Sequence, residues 1–134
     1  MGWLFPCMLT LLLWGLWGFC YKLSVERLPA TVVLLMASVG GLVVAGALFT
    51  TTSQRLVLSP YLMLAFVAGL IGNLGTFFFI KALESQKLSI VVPLTALYPL
   101  VSLVLAAIFM GERLQLRHWL GAILATFAGA LLVF

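Results

Sequence analysis

Apolar residues fill five long stretches of the chain, at 3–21, 30–50, 61–80, 89–110 and 116–134, and the charged residues gather in or beside the short gaps. Crossing a hydrocarbon core about 30 Å thick as a helix takes roughly 20 predominantly apolar residues, and each stretch meets that length. No stretch carries the continuous polar face that a helix on a soluble core shows to water. The pattern therefore predicts an all-α integral membrane protein with five transmembrane helices. Five is odd, so the two termini are expected on opposite sides of the membrane.

Within the spans, polar and small residues stand out because lipid offers them nothing. In the first, Thr10, Trp14, Trp17 and Tyr21 follow one another at spacings of 4, 3 and 4 and share a face. Tyr21, Trp17 and Trp3 read as interfacial anchors, whereas Trp14 lies deeper, against a neighbouring helix or a polar cavity. In the second span, Ala37, Gly41 and Ala45 repeat every four residues and read as a packing row for a close helix neighbour. Asn73 sits near the middle of the third span, on a face shared with Gly69, Gly72, Thr76 and Phe77. An amide at that depth needs hydrogen-bond partners, so Asn73 either ties helices together or lines a polar path. Lys81 and Glu84 close that span as boundary residues.

The fourth span contains Pro93 and Pro99. Pro99 has no N–H to give the carbonyl of Thr95, so a bend is expected there, with Thr95, Tyr98 and Ser102 beside it. A freed carbonyl flanked by hydroxyls marks a site enclosed by protein or facing a wet cavity. A tight turn is expected at Met110-Gly111-Glu112-Arg113. The fifth span shows Gly121, Ala125 and Gly129, a row of small residues suited to helix packing and assembly. His118, at its start, reads as a solvated interfacial side chain.

Composition agrees with this reading: 65% of residues are hydrophobic and 7% charged, too little polar surface for a soluble domain of 134 residues. The net charge of +4 arises from seven Lys and Arg scattered singly or in pairs, which excludes the basic block or face of a nucleic-acid binder. One side of the membrane would hold Lys22, Arg27, Lys81 and Lys87, the other Arg55, Arg113 and Arg117. Such a small bias is compatible with insertion in both orientations, and two opposed copies could pair as an antiparallel homodimer. Cys7 and Cys20 are 13 positions apart, about 20 Å along a helix, too far for a disulfide. No metal-ligand cluster, phosphate loop or activated nucleophile is present in the sequence, so no metal, no cofactor and no enzyme activity is expected. The acids Glu26, Glu84 and Glu112 all lie at span boundaries, which leaves no carboxylate inside a span to relay protons.

The order of motifs in the C-terminal half is informative. Phe77-Phe78-Phe79-Ile80 is followed by Leu88-Ser89-Ile90-Val91-Val92-Pro93-Leu94-Thr95-Ala96-Leu97-Tyr98-Pro99, then Phe109-Met110-Gly111-Glu112-Arg113-Leu114, then Trp119-Leu120-Gly121 to Gly129. This order resembles the EamA domain of the drug/metabolite transporter superfamily, and Trp14-Gly15-Leu16-Trp17-Gly18 is similar to that family's first span. Most members carry two such domains in inverted orientation. The resemblance implies that this single domain is half of a ten-helix inverted-repeat transporter, completed by a second copy or by another EamA-type chain. It further implies transport of small metabolites by alternating access, in a multi-pass protein of the cell (inner) membrane. The related small multidrug resistance proteins carry a carboxylate in the first span; this chain has none, which disfavours cation/proton antiport. The expected substrate cavity is lined by Trp14, Asn73, Phe77, Thr95, Tyr98 and Ser102, and suits an amphipathic or zwitterionic small molecule. The alternative is a membrane subunit that assembles with another protein and transports nothing.

Overall fold

The computed structural model describes residues 2–52, 59–111 and 115–133. They form six helices: α1 (Leu4–Val25), α2 (Ala30–Thr51), α3 (Pro60–Ser85), α4 (Leu88–Thr95), α5 (Tyr98–Phe109) and α6 (Leu116–Val133). Among the described residues there is no strand. Arg55 in the second gap, and Glu112 and Arg113 of the expected turn, lie outside the described residues. Gly111, which opens that turn, has a φ of +64°, a backbone conformation that glycine adopts without steric cost.

Four helical stretches are long and apolar enough to cross a membrane: Leu4–Val25, Ala30–Thr51, Pro60–Ser85 and Leu88–Phe109. The apolar part of α6, Leu116–Leu131, is shorter. The stretch expected as one bent helix over 89–110 is two helices, α4 and α5, separated by Ala96 and Leu97. The chain keeps right-handed dihedrals through this break, but the hydrogen bonding tightens: Leu97 N–H donates to Leu94 O at 3.3 Å and Leu100 N–H to Leu97 O at 3.0 Å. Pro99 lies in the first turn of α5, where a missing N–H costs nothing. A proline in the middle of a helix forces a choice between bending and restarting, and this segment restarts.

The chain divides into two compact units, Met1–Ser85 and Gln86–Phe134. In the first, α1, α2 and α3 pack on one another. Its buried residues, Gly18, Tyr21, Ala30, Val33, Ile80 and Leu83, all come from the C-terminal end of α1, the N-terminal end of α2 and the C-terminal end of α3. The short α1–α2 connection brings these ends to one level. Leu28 N–H donates to Ser24 O at 2.9 Å, and Pro29, extended at φ −61° and ψ 147°, starts α2.

Polar bonds secure the same end. Lys22 Nζ donates to the Leu83 carbonyl at 3.0 Å, near the C-terminus of α3, where carbonyls lack helical partners. Glu84 Oε1 accepts from the Ala30 N–H at 2.7 Å, a first-turn donor of α2 that Pro29 has no side-chain group to cap. Lys81 Nζ meets the other Glu84 oxygen at 2.8 Å. Lys81 and Glu84, expected as simple boundary residues, thus belong to a clasp between helices. Charge adjacency in sequence showed their location but not their partners.

In the second unit α4 packs on α6, and Val91 is its buried residue on α4. Of the expected small-residue row, Gly129 is buried, and a Cβ there would lie 3.2 Å from Leu97 Cδ2. Gly121 has nothing within 4 Å of the same position, and Gly121 and Ala125 are exposed. Only the last member of the row therefore makes a close contact in this unit. His118 is not merely solvated, as its Nδ1 accepts from the Gln115 N–H at 3.2 Å and caps the start of α6.

Candidate functional site

A cleft of about 480 Å³ opens between α1, α2 and α3 of the first unit. Helical spacing explains who lines it. Trp17 and Tyr21 of α1 are four apart; Ala37, Gly41 and Ala45 of α2 recur every four, with Ser38 and Leu42 beside them; Gly69, Gly72, Asn73 and Thr76 of α3 follow at three, one and three. The row Ala37, Gly41, Ala45, expected to bring helices into close contact, instead faces open space. A Cβ built on Gly41, Gly69 or Gly72 would meet nothing within 4 Å. The small residues make room rather than a seam, because α2 and α3 already meet at their Val33, Ile80 and Leu83 end.

The polar centre of the cleft joins α2 and α3. Ser38 Oγ donates to Asn73 Oδ1 at 2.9 Å, and Asn73 Nδ2 donates to the Gly69 carbonyl at 3.0 Å. A carbonyl only accepts, so the amide nitrogen must face Gly69 and its oxygen must face Ser38. Asn73 therefore does both jobs weighed for it: it links two helices and it lines a polar opening. Thr76 Oγ donates to the Gly72 carbonyl at 2.9 Å. Both Ser38 and Asn73 lie near the middle of their helices, at the depth where a bilayer supplies no hydrogen bonds.

The α1 side is aromatic. Trp17 stacks on Phe79 of α3 with centroids 5.2 Å apart and planes 10° apart, while Tyr21 tilts against Trp17 at 4.5 Å and Phe79 at 6.4 Å. Offset stacks of this kind hold rings in place as well as burying them. Tyr21, read as an interfacial anchor, is in fact buried, and Trp17, 40% exposed, stacks on a ring of α3. The i, i+4 spacing of Trp17 and Tyr21 was visible in the sequence; what hid their role was that helix-end aromatics anchor more often than they line a cavity. Ser38 also escaped notice, although it sits at the same depth as Asn73 on the preceding helix.

The six residues expected to line one cavity are distributed as follows. Asn73 is at the centre of the cleft. Trp14, one turn from Trp17, is 58% exposed and is not among the cleft's lining residues. Phe77 is half-buried and meets Phe78 edge-on at 5.6 Å. Thr95, Tyr98 and Ser102 belong to the second unit, around the α4–α5 break. There Thr95 Oγ donates to the carbonyls of Val91, at 2.8 Å, and Val92, at 3.1 Å. Pro93 lies inside α4 and Pro99 at the start of α5.

Among the described residues, no three His, Cys, Asp or Glu side chains converge as a metal would need. The cleft offers hydroxyls, one amide and ring faces, which can hold an organic molecule by hydrogen bonds and stacking. The model of the EamA-like transporter family matches residues 1–134, and the chain belongs to that family. No curated protein and no solved structure matches it. Four helical stretches of spanning length and this membership make it a multi-pass membrane protein of the drug/metabolite transporter type, a family of transporters rather than enzymes.

Proposed function

We propose that this EamA-family chain transports a small organic metabolite across the cell (inner) membrane, and that the α1–α2–α3 cleft is its half of the substrate site. The observation that carries the reading is the Ser38–Asn73 pair beside the Trp17–Phe79 stack. It sets an oriented amide and a flat apolar surface beside one cleft.

Two copies, or this chain and another EamA-type chain, enclose the substrate. Alternating access then opens the enclosed site to one side and the other in turn. In this reading α6 is a fifth span. Its 18 residues rise about 27 Å, within the lower range for a crossing. The termini then lie on opposite sides, and an antiparallel homodimer gives the inverted pair of five-helix halves. The break at Ala96–Leu97 supplies a point about which α4 and α5 can change their relative angle.

The test is flux into proteoliposomes that contain only this chain. Uptake of one or more solutes from a metabolite panel, reduced at least tenfold by Asn73→Leu, is the expected result. Absence of flux together with stable association with another membrane protein would replace this reading with the assembly-subunit one.

A further inference from the structure

We infer that the cleft selects uncharged solutes that bring hydrogen-bond donors, N–H or O–H, on a flat apolar frame, and discriminates against carboxylates and donor-free analogues. This rests on the reading of the cleft as the substrate site. It narrows the amphipathic-or-zwitterionic expectation to the uncharged side.

Most polar hydrogens on the α2–α3 wall are already spoken for. Ser38 has one hydroxyl hydrogen, and it is committed to Asn73 Oδ1 at 2.9 Å. Thr76 has one, and it is committed to the Gly72 carbonyl at 2.9 Å. Asn73 has two amide hydrogens, of which one is committed to the Gly69 carbonyl at 3.0 Å. What this wall leaves for a ligand is lone pairs on Ser38 Oγ, Thr76 Oγ and Asn73 Oδ1, against one spare N–H on Asn73; across the cleft the Tyr21 hydroxyl adds one O–H. The wall accepts more than it donates. A carboxylate, which only accepts, finds two donors in the cleft, the Asn73 N–H and the Tyr21 O–H; a solute with N–H or O–H groups finds three acceptors on this wall alone.

Charge follows from the same lining. Among the described residues, none of those around the cleft is Asp, Glu, Lys, Arg or His. A formal charge entering it would leave water without meeting an opposite charge, which is unfavourable for either sign. Trp17, held flat against Phe79, offers the ring face for the apolar part of the solute.

Equilibrium binding to the full chain in phosphatidylcholine nanodiscs tests this with four probes that share a phenyl ring. Phenylurea is neutral and brings N–H donors; 1,1,3-trimethyl-3-phenylurea is neutral with every N–H replaced; benzoate is an acceptor-only anion; benzylammonium brings donors with a charge. Phenylurea should bind at least tenfold more tightly than each of the others, since one neutral hydrogen bond is worth about tenfold. Thr76→Val, nearly isosteric, should weaken phenylurea several-fold and leave the trimethylated analogue unchanged, and Ser38→Ala should narrow the same preference.

Equal binding of the two ureas, benzoate or benzylammonium binding as well as phenylurea, or no phenylurea binding at millimolar concentration would each overturn the inference. Because binding is measured without flux, the two readings fail separately. Donor-selective binding with no transport in proteoliposomes would refute the transporter reading alone. Transport of carboxylates with no donor preference would refute this one alone.

Discussion

The same three helices, α1, α2 and α3, form a closed end and an open middle, and the two differ in what their residues are given to do. At the closed end, bulky apolar side chains (Tyr21, Val33, Ile80, Leu83) fill the space between helices. The Lys22–Leu83 and Glu84–Ala30 bonds satisfy backbone groups that helix ends leave over. In the middle, small residues on α2 and α3 withdraw side chains, and the polar groups bond to one another or to their own helix while keeping unshared lone pairs. The difference teaches that polarity inside a membrane bundle has two uses. Where neighbouring side chains are large it completes the packing; where they are small it lines an opening.

The contrast can be broken most forcefully at the closed end. Leu83 is fully buried, and Leu83→Ala should destabilise the protein by about 2–4 kcal/mol, read as a lower melting temperature in detergent. In the open middle the opposite separation is expected. Gly41→Leu meets free space at its Cβ, so stability should hold while binding and flux fall at least tenfold. A fall in stability equal to that of Leu83→Ala would mean that Gly41 packs rather than opens.

Asn73→Leu sharpens the comparison because it removes both roles of one residue. The lost helix link should cost about 0.6 kcal/mol, a typical interhelical hydrogen bond in a membrane, whereas flux should drop at least tenfold. Glu84→Gln, at the other end, keeps an oxygen for Ala30 N–H but loses the ion pair with Lys81. It should lower the melting temperature less than Leu83→Ala does and leave the binding preference untouched. The smallest effect is expected in the second unit. Gly129→Ala gains helix propensity of up to about 1 kcal/mol but crowds Leu97, so the melting temperature should move only slightly.

Much of this was legible in the chain. Spans expected at 30–50 and 61–80 are the helices Ala30–Thr51 and Pro60–Ser85, since hydropathy and length act locally. Asn73 could be singled out because an amide in mid-span has few tolerable environments. The meaning of the Ala37, Gly41, Ala45 row could not be read, as small residues permit a close approach without requiring one. Whether they form a seam or a cleft depends on where the bulky residues of the neighbouring helices hold the backbones. Tyr21 was misplaced for a related reason: an aromatic near a helix end can face headgroups or a neighbouring ring, and its own helix does not decide which.

The sequence by itself determined that this is a helical membrane protein, where its first three helices run, and that Asn73, Pro93 and Pro99 would be exceptional. These follow from properties that each residue carries alone: transfer energy, backbone donors and ring constraints. Only the tertiary structure decided that Glu84 caps α2, that Ser38 orients Asn73, that Trp17 lies on Phe79, and that the segment around Pro99 restarts as a new helix. The first three of those outcomes join atoms of different helices, which the local sequence pattern does not pair. They become one site or one clasp only when the helices are set side by side.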